Sequence, residues 1–92
     1  MDARKIVAWN LRRIRVERGI PQEALAVDAS IDRTYMSRLE RNLENPTVAV
    51  LERLAQALEI EIVELFAVPK PGSRYPQPLK RGRKPSRKTP RR

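Results

Sequence analysis

The side chains best suited to chemistry in this 92-residue sequence stand close together, at Arg33, Thr34, Ser37 and Arg38. Two arginines and two hydroxyls offer donors that match phosphate oxygens and the acceptor edges of bases. Their spacing puts them on one face of a helix from about 33 to 41, whose other face carries Met36 and Leu39 at i, i+3. Asp32 precedes that helix, where its carboxylate can accept from the free amides of the first turn. Just upstream, residues 22 to about 29 form another short helical pattern, with Leu25 and Ala29 at i, i+4. Ala26 is small, as a close helix crossing requires. Only Ser30, Ile31 and Asp32 separate the two patterns, and Ile31 can plug the turn.

Two short helices joined in this way, the second polar on its outer face, form a helix-turn-helix whose second helix can enter the DNA major groove. An ordinary helical hairpin accounts for the apolar spacing but not for the polar face. The stretch QEALAVDASIDRTYMSRLER resembles the Cro/C1-type (XRE) helix-turn-helix family. Within that family, DRTYMSRLERN is similar to the recognition helix of restriction–modification controller proteins. Gln22, Leu25, Ala26, Ile31, Met36, Ser37, Leu39 and Glu40 carry the resemblance, which extends from about Val7 to Phe66. It implies an all-α, five-helix, lambda-repressor-like domain. It also implies that Arg15 pairs with Glu40, and that Gln22 contacts a phosphate and orients recognition residues; the plainer role for Gln22 is surface polarity. Ser30 departs from the pattern, because the family usually places Gly there in a left-handed conformation that costs other residues roughly 1 kcal/mol. Asn42 and Glu59 also stand where Gly is usual, Pro21 where a capping Ser or Thr is usual, and Glu61 where a capping Ser is usual.

Composition narrows the function classes. The chain has no Cys and no His, which removes disulfides, Cys/His zinc sites and histidine catalysis. No paired acid/base constellation or glycine-rich phosphate loop is present, so neither an enzyme nor a cofactor is expected. No apolar run reaches the roughly 18 residues of a membrane helix, and a cytoplasmic location without membrane contact follows as the expectation. The net charge of +9 is unevenly spread. Ten of the twenty Lys and Arg residues, and none of the eleven acids, lie from Pro69 onward, so residues 1–68 hold ten basic against eleven acidic side chains, a net of −1. A nearly neutral domain must therefore bind a polyanion by local placement of charge, while the tail supplies bulk attraction.

In chain order, Asp2 can cap a first helix that runs to about Arg18 and ends at Gly19, with Val7, Leu11 and Ile14 as its core stripe. Trp9 and Val16 lie off that stripe and either cover the core edge or meet a partner. Arg12 or Arg13 could reach a phosphate. After the loop Asn42 to Pro46, Thr47 caps a fourth helix with Val48, Leu51, Ala55 and Leu58 spaced to close the core. A short fifth helix follows from about Glu61 to Phe66. Val63, Phe66 and Val68 serve either as a dimer surface or as core closure.

Residues 69–92 hold six of the eight prolines and only Tyr75 and Leu79 as sizeable apolar groups, a composition expected to be disordered alone. Lys80, Arg81, Gly82, Arg83 and Lys84 resemble an AT-hook, in which Gly lets the backbone sink into a narrow minor groove. That motif has Pro on both sides of Arg-Gly-Arg, where this chain has Lys80 and Lys84. A plain polycationic arm is the alternative reading of the segment.

The reading is thus a helix-turn-helix domain over residues 1–68 and a basic tail over 69–92. It acts as a sequence-specific double-stranded DNA-binding regulator, a repressor, and as a homodimer. Arg33 is the candidate for guanine readout. Thr34 and Ser37 would take neighbouring bases or phosphates, Tyr35 a thymine methyl or backbone, and Arg38 either base or phosphate. Arg41, Asn42 and Asn45 are phosphate contacts or loop chemistry. Two other classes compete: an antitoxin-like or bridging protein-interaction module using an exposed Trp9 and the surface of the fifth helix, and a nucleoid-type protein binding through the tail without sequence choice. Each phosphate neutralised by Lys or Arg lowers the dependence of log affinity on log salt by about 0.9 on duplex DNA when it is lost. Truncation after Pro69 should therefore leave the melting temperature unchanged, weaken binding most at low salt and flatten the salt slope by several units. Binding isotherms across a salt series check this; an unchanged slope would show that the tail does not touch DNA.

Overall fold

Asp2, Thr47 and Asp32 each accept a hydrogen bond from the turn that follows, and at each of them a helix begins. A computed structural model of the chain describes residues 2–70 and Gly72. Helix α1 (Ala3–Glu17) opens with the Lys5 amide on Asp2 Oδ1 at 2.9 Å. Helix α2 (Gln22–Ala29) has no side-chain cap; Pro21, at φ −66, sets the extended backbone that enters it. Helix α3 (Arg33–Glu40) opens with Asp32 Oδ2 accepting from the Thr34 and Tyr35 amides at 2.8 and 3.2 Å. Helix α4 (Val48–Leu58) opens with Thr47 Oγ1 accepting from the Val50 amide at 3.1 Å.

The four helices end alike. Gly19, Ser30, Asn42 and Glu59 take left-handed backbone, at φ 68, 58, 61 and 59. The next amide then closes on a carbonyl five residues back: Ile20 on Arg15, Ile31 on Ala26, Leu43 on Arg38 and Ile60 on Ala55, at 2.9 to 3.0 Å. This closure satisfies carbonyls that a helix end otherwise leaves open. Ile20, Ile31 and Ile60 also pack against the core. Apolar anchoring of the following residue offsets the roughly 1 kcal/mol that a non-glycine residue loses in this conformation, which is how Ser30 and Glu59 replace Gly.

Helix α2 packs on α3 and α4, and α1 packs on α3 and the C-terminal turn, around a core of Val7, Leu11, Ile14, Leu25, Met36, Leu39, Leu54 and Leu65 with their neighbours. Among the described residues the structure is all-helical, with four α-helices. The expected fifth helix is a 3-10 helix, Ile62–Phe66. Five residues, two of them β-branched, form too few i to i−4 bonds to hold an α-helix. Its position is set from α1: Asn10, 2% exposed, places Nδ2 at 3.1 Å from the Leu65 carbonyl and 2.7 Å from that of Ala67.

One expectation is corrected and two open alternatives are decided. Val48 is 72% exposed and does not close the core; Leu54, fully buried, takes that part, because Val48 sits in the first turn beyond the core's edge. Trp9 is 7% exposed, so it covers the core edge and is no exposed contact. Val63, Phe66 and Val68 remain exposed, and Leu65 closes the core between them.

One ion pair joins α1 to α3. Arg15 Nε and Nη2 donate to the two oxygens of Glu40 at 2.6 and 2.9 Å, and Arg15 Nη1 donates to the Ile20 carbonyl at 2.8 Å. Both side chains are buried, Glu40 fully. Truncating one partner of such a pair strands a charge in the interior. Glu40→Ala should therefore cost about 3–5 kcal/mol, against at most about 1 kcal/mol for Glu44→Ala at the surface. Urea melts of the two variants check this; equal, small effects would contradict it.

Candidate nucleic-acid interface

Anchored through Met36, Leu39 and Glu40, α3 keeps the rest of its circumference outward. Arg33, Thr34, Arg38 and Arg41 are exposed, and Ser37 is half-buried. Gln22, Arg33, Thr34, Ser37 and Arg41 line one shallow cleft. The structure therefore brings together five of the residues singled out from the sequence. Gln22 reaches it from the start of α2, where its Nε2 donates to Glu40 Oε1 at 3.0 Å. That bond fixes the amide while leaving its oxygen and second N–H unspent. Because no side chain caps α2, its first amides and the positive end of its dipole also face outward, a setting that favours an anion.

The other candidates stand apart from this cleft. Arg38 leans toward the following turn, its Nε on Glu44 Oε2 at 2.7 Å and Nη2 on the Leu43 carbonyl at 3.2 Å. Tyr35 is half-buried on the same flank. Burial pushes its phenol above the ordinary value of 10.0, Glu44 acts in the same direction, and Arg53 opposes them. The hydroxyl is thus neutral at physiological pH and able to donate. Asn42 lines a second cleft with Lys5, Ala8, Arg12, Glu40 and Arg41. Its Oδ1 is buried without a hydrogen-bond partner. Asn45 lies elsewhere again, in an apolar groove with Val7, Pro46, Val48 and Phe66. Lys80, Arg81, Gly82, Arg83 and Lys84 fall outside the described residues.

Two positioning residues escaped the sequence reading. Asn10 holds the C-terminal turn through the bonds given above, and its Oδ1 accepts from Arg13 Nη2 at 3.1 Å. Its signal was a lone amide inside the buried run Val7 to Leu11, costly unless it bonds. Arg53 Nε donates to the Ala29 carbonyl at 3.0 Å, closing the end of α2 from α4. No local pattern announces that contact, since it joins residues 24 apart in sequence.

Two short helices crossing at a three-residue turn, the second buried on one side and cationic on the other, define a helix-turn-helix protein. The helix-turn-helix family model (HTH_3) matches residues 11–65, and the chain belongs to that family. It is 46% identical over 65 residues to an uncharacterised HTH-type transcriptional regulator, y4dJ, of Sinorhizobium fredii, covering 71% of this chain and 84% of that protein. Among solved structures it is similar to the restriction–modification controller protein C.AhdI of Aeromonas hydrophila, with a TM-score of 0.67 and 36% identity over 68% of this chain and 96% of that one. It is also similar to the controller protein C.Esp1396I, solved as a tetramer on its natural 35 base-pair operator, with a TM-score of 0.66 and 38% identity over 72% of this chain and 87% of that one.

Proposed function

We propose that this chain is a sequence-specific, double-stranded DNA-binding transcriptional regulator that acts as a repressor with the DNA in the cytoplasm. The observation that carries the reading is the Glu40 carboxylate. It is buried against Arg15, bonded to Gln22, and fixes α3 in depth and rotation while Arg33, Thr34, Ser37 and Arg41 stay outward. A reading helix needs that combination, because base discrimination depends on rigid placement of a few donors at the groove edge. Arg33, at the N-terminal end of α3, would take the two acceptors of a guanine. Thr34 and Ser37 would take adjacent bases or phosphates, and Gln22 and Arg41 the backbone. Arg38 is a weaker candidate for base contact, since Glu44 and Leu43 already hold much of its donor capacity.

The operator complex of C.Esp1396I supports this mode of action, and its tetrameric assembly supports a symmetric one. One short helix reads too few base pairs to be selective, so a homodimer on a palindromic site follows, with half-sites about 34–36 Å apart. The exposed Val63, Phe66 and Val68 are its candidate surface. Burial of Trp9 removes one of the two features that favour a protein-interaction module, and the exposed Val63, Phe66 and Val68 serve equally as the dimer surface.

Selection from random duplexes by the full chain tests the reading. The wild type should enrich one palindromic motif. Arg33→Ala should lose about 1–3 kcal/mol on that motif and relax choice at one base pair of each half-site. Gln22→Ala should weaken all sites alike. No enrichment by the wild type would leave only non-specific binding, and an unchanged preference in the Arg33 variant would remove the assigned reading face.

A further inference from the structure

The cleft beside the end of α3 has basic side chains from two elements remote in sequence. It runs between α1 and the turn after α3 and is lined by Lys5, Ala8, Arg12, Glu40, Arg41 and Asn42. Lys5, Ala8 and Arg12 follow one another at i, i+3 and i+7, so they form a row on one face of α1. Ala8 is the small floor between two cations. Seven residues of helix rise span about 10 Å, the axial length of about three nucleotides of one DNA strand. The one acid of the lining brings no free negative charge, since both Glu40 oxygens are engaged with Arg15 and Oε1 also with Gln22.

Three cations in one cleft are a concentration, because residues 1–68 carry a net charge of −1. Elsewhere in the domain Arg13 bonds Glu17, Arg38 bonds Glu44, Arg18 bonds the Leu58 carbonyl and Arg53 that of Ala29, and within the cleft Arg12 also has an interaction inside the protein. Arg41 belongs to this cleft and to the one formed by Gln22, Arg33, Thr34 and Ser37, so the two surfaces meet at it.

We propose that the DNA-binding surface continues past Arg41 onto α1, where Lys5 and Arg12 with Arg41 clamp backbone phosphates of the duplex outside the groove that α3 reads. The inference rests on the DNA-binding reading above and extends it to Lys5 and Arg12, which that reading does not use. The ligand chemistry is a phosphate diester. A small free phosphate would meet the same cations. The shared Arg41 favours the duplex, because it joins this cleft to the face that α3 presents to DNA.

The test uses the full chain and a duplex carrying the selected motif. Lys5→Ala and Arg12→Ala should each weaken binding several-fold at low salt, equally on specific and random duplexes, and should lower the salt slope by about 0.9. The selected motif should not change. Arg12→Lys should retain most of the affinity, which guards against a folding defect in the alanine variant. Arg4→Ala should change nothing, since Arg4 faces the apolar groove with Phe66. Scanning a single neutral methylphosphonate linkage along the duplex should find a flank position that costs the wild type affinity and does not cost Lys5→Ala. Inorganic phosphate titrated into the DNA-free chain, followed by NMR, separates the other source. Saturation of the cleft by that anion, with duplex affinity and slope unchanged in Lys5→Ala and Arg12→Ala, would assign a small-anion site and overturn the clamp. Unchanged slopes without phosphate binding would overturn it as well. A wild type that binds no duplex would overturn the DNA-binding reading itself, and the clamp with it.

Discussion

A carboxylate with no exposed surface sets the terms for this domain. Glu40 lies at the inner face of α3, where its charge has no water to solvate it, and the structure surrounds it with donors: two from Arg15 and one from Gln22. A buried ion pair is a poor source of net stability, because the cost of desolvating both charges consumes most of their attraction. Its value here is registration. An apolar contact tolerates sliding, whereas a two-pronged guanidinium–carboxylate contact accepts only one rotation and one depth of α3 against α1. Arg15 is itself held by the Ile20 carbonyl, so the pair also ties down the turn that leads into α2.

Function follows from the sharing of that carboxylate. Its oxygen Oε1 receives both Arg15 and Gln22, so the interior of the domain and the rim of its cationic face depend on one group. The domain is nearly neutral, and its affinity for a polyanion must come from where its cations stand. Internal bonds sort them. Arg13 and Arg38 are balanced by neighbouring acids, Arg18 and Arg53 close helix ends, and Arg33, Arg41 and Lys5 line the clefts on the outer side.

The helices and their limits were legible because local rules decide them. Asp2, Asp32 and Thr47 cap, left-handed turns close, and Leu25, Met36 and Leu39 repeat at helical spacing. The Arg15–Glu40 pair was legible only through family resemblance, since nothing in the spacing of two residues 25 apart requires contact. What the sequence hid depends on how elements meet. The phase of α4 decides between Val48 and Leu54, and that phase is set by packing on α2. Arg38 was placed on the outer face correctly, but its capture by Glu44 needs the left-handed turn at Asn42 to fold the loop back. The grouping of Lys5 with Arg41 requires the angle between α1 and α3, and Asn45 was drawn away from the other candidates by the turn that precedes α4. The last element was read as a helix through the family resemblance; Asn10 and the short run to Phe66 hold it as a 3-10 helix.

The central claim is that α3 is registered by one buried pair, so the most direct measurement is a double-mutant cycle on unfolding free energy with Arg15→Met, Glu40→Leu and both together. Either single change leaves a charge stranded, while the double change replaces the pair by apolar groups of similar size. The double variant should be more stable than either single variant, with a coupling of about 2–3 kcal/mol. Single effects that simply add, within about 0.5 kcal/mol, would show that the two groups fold independently and would contradict the account.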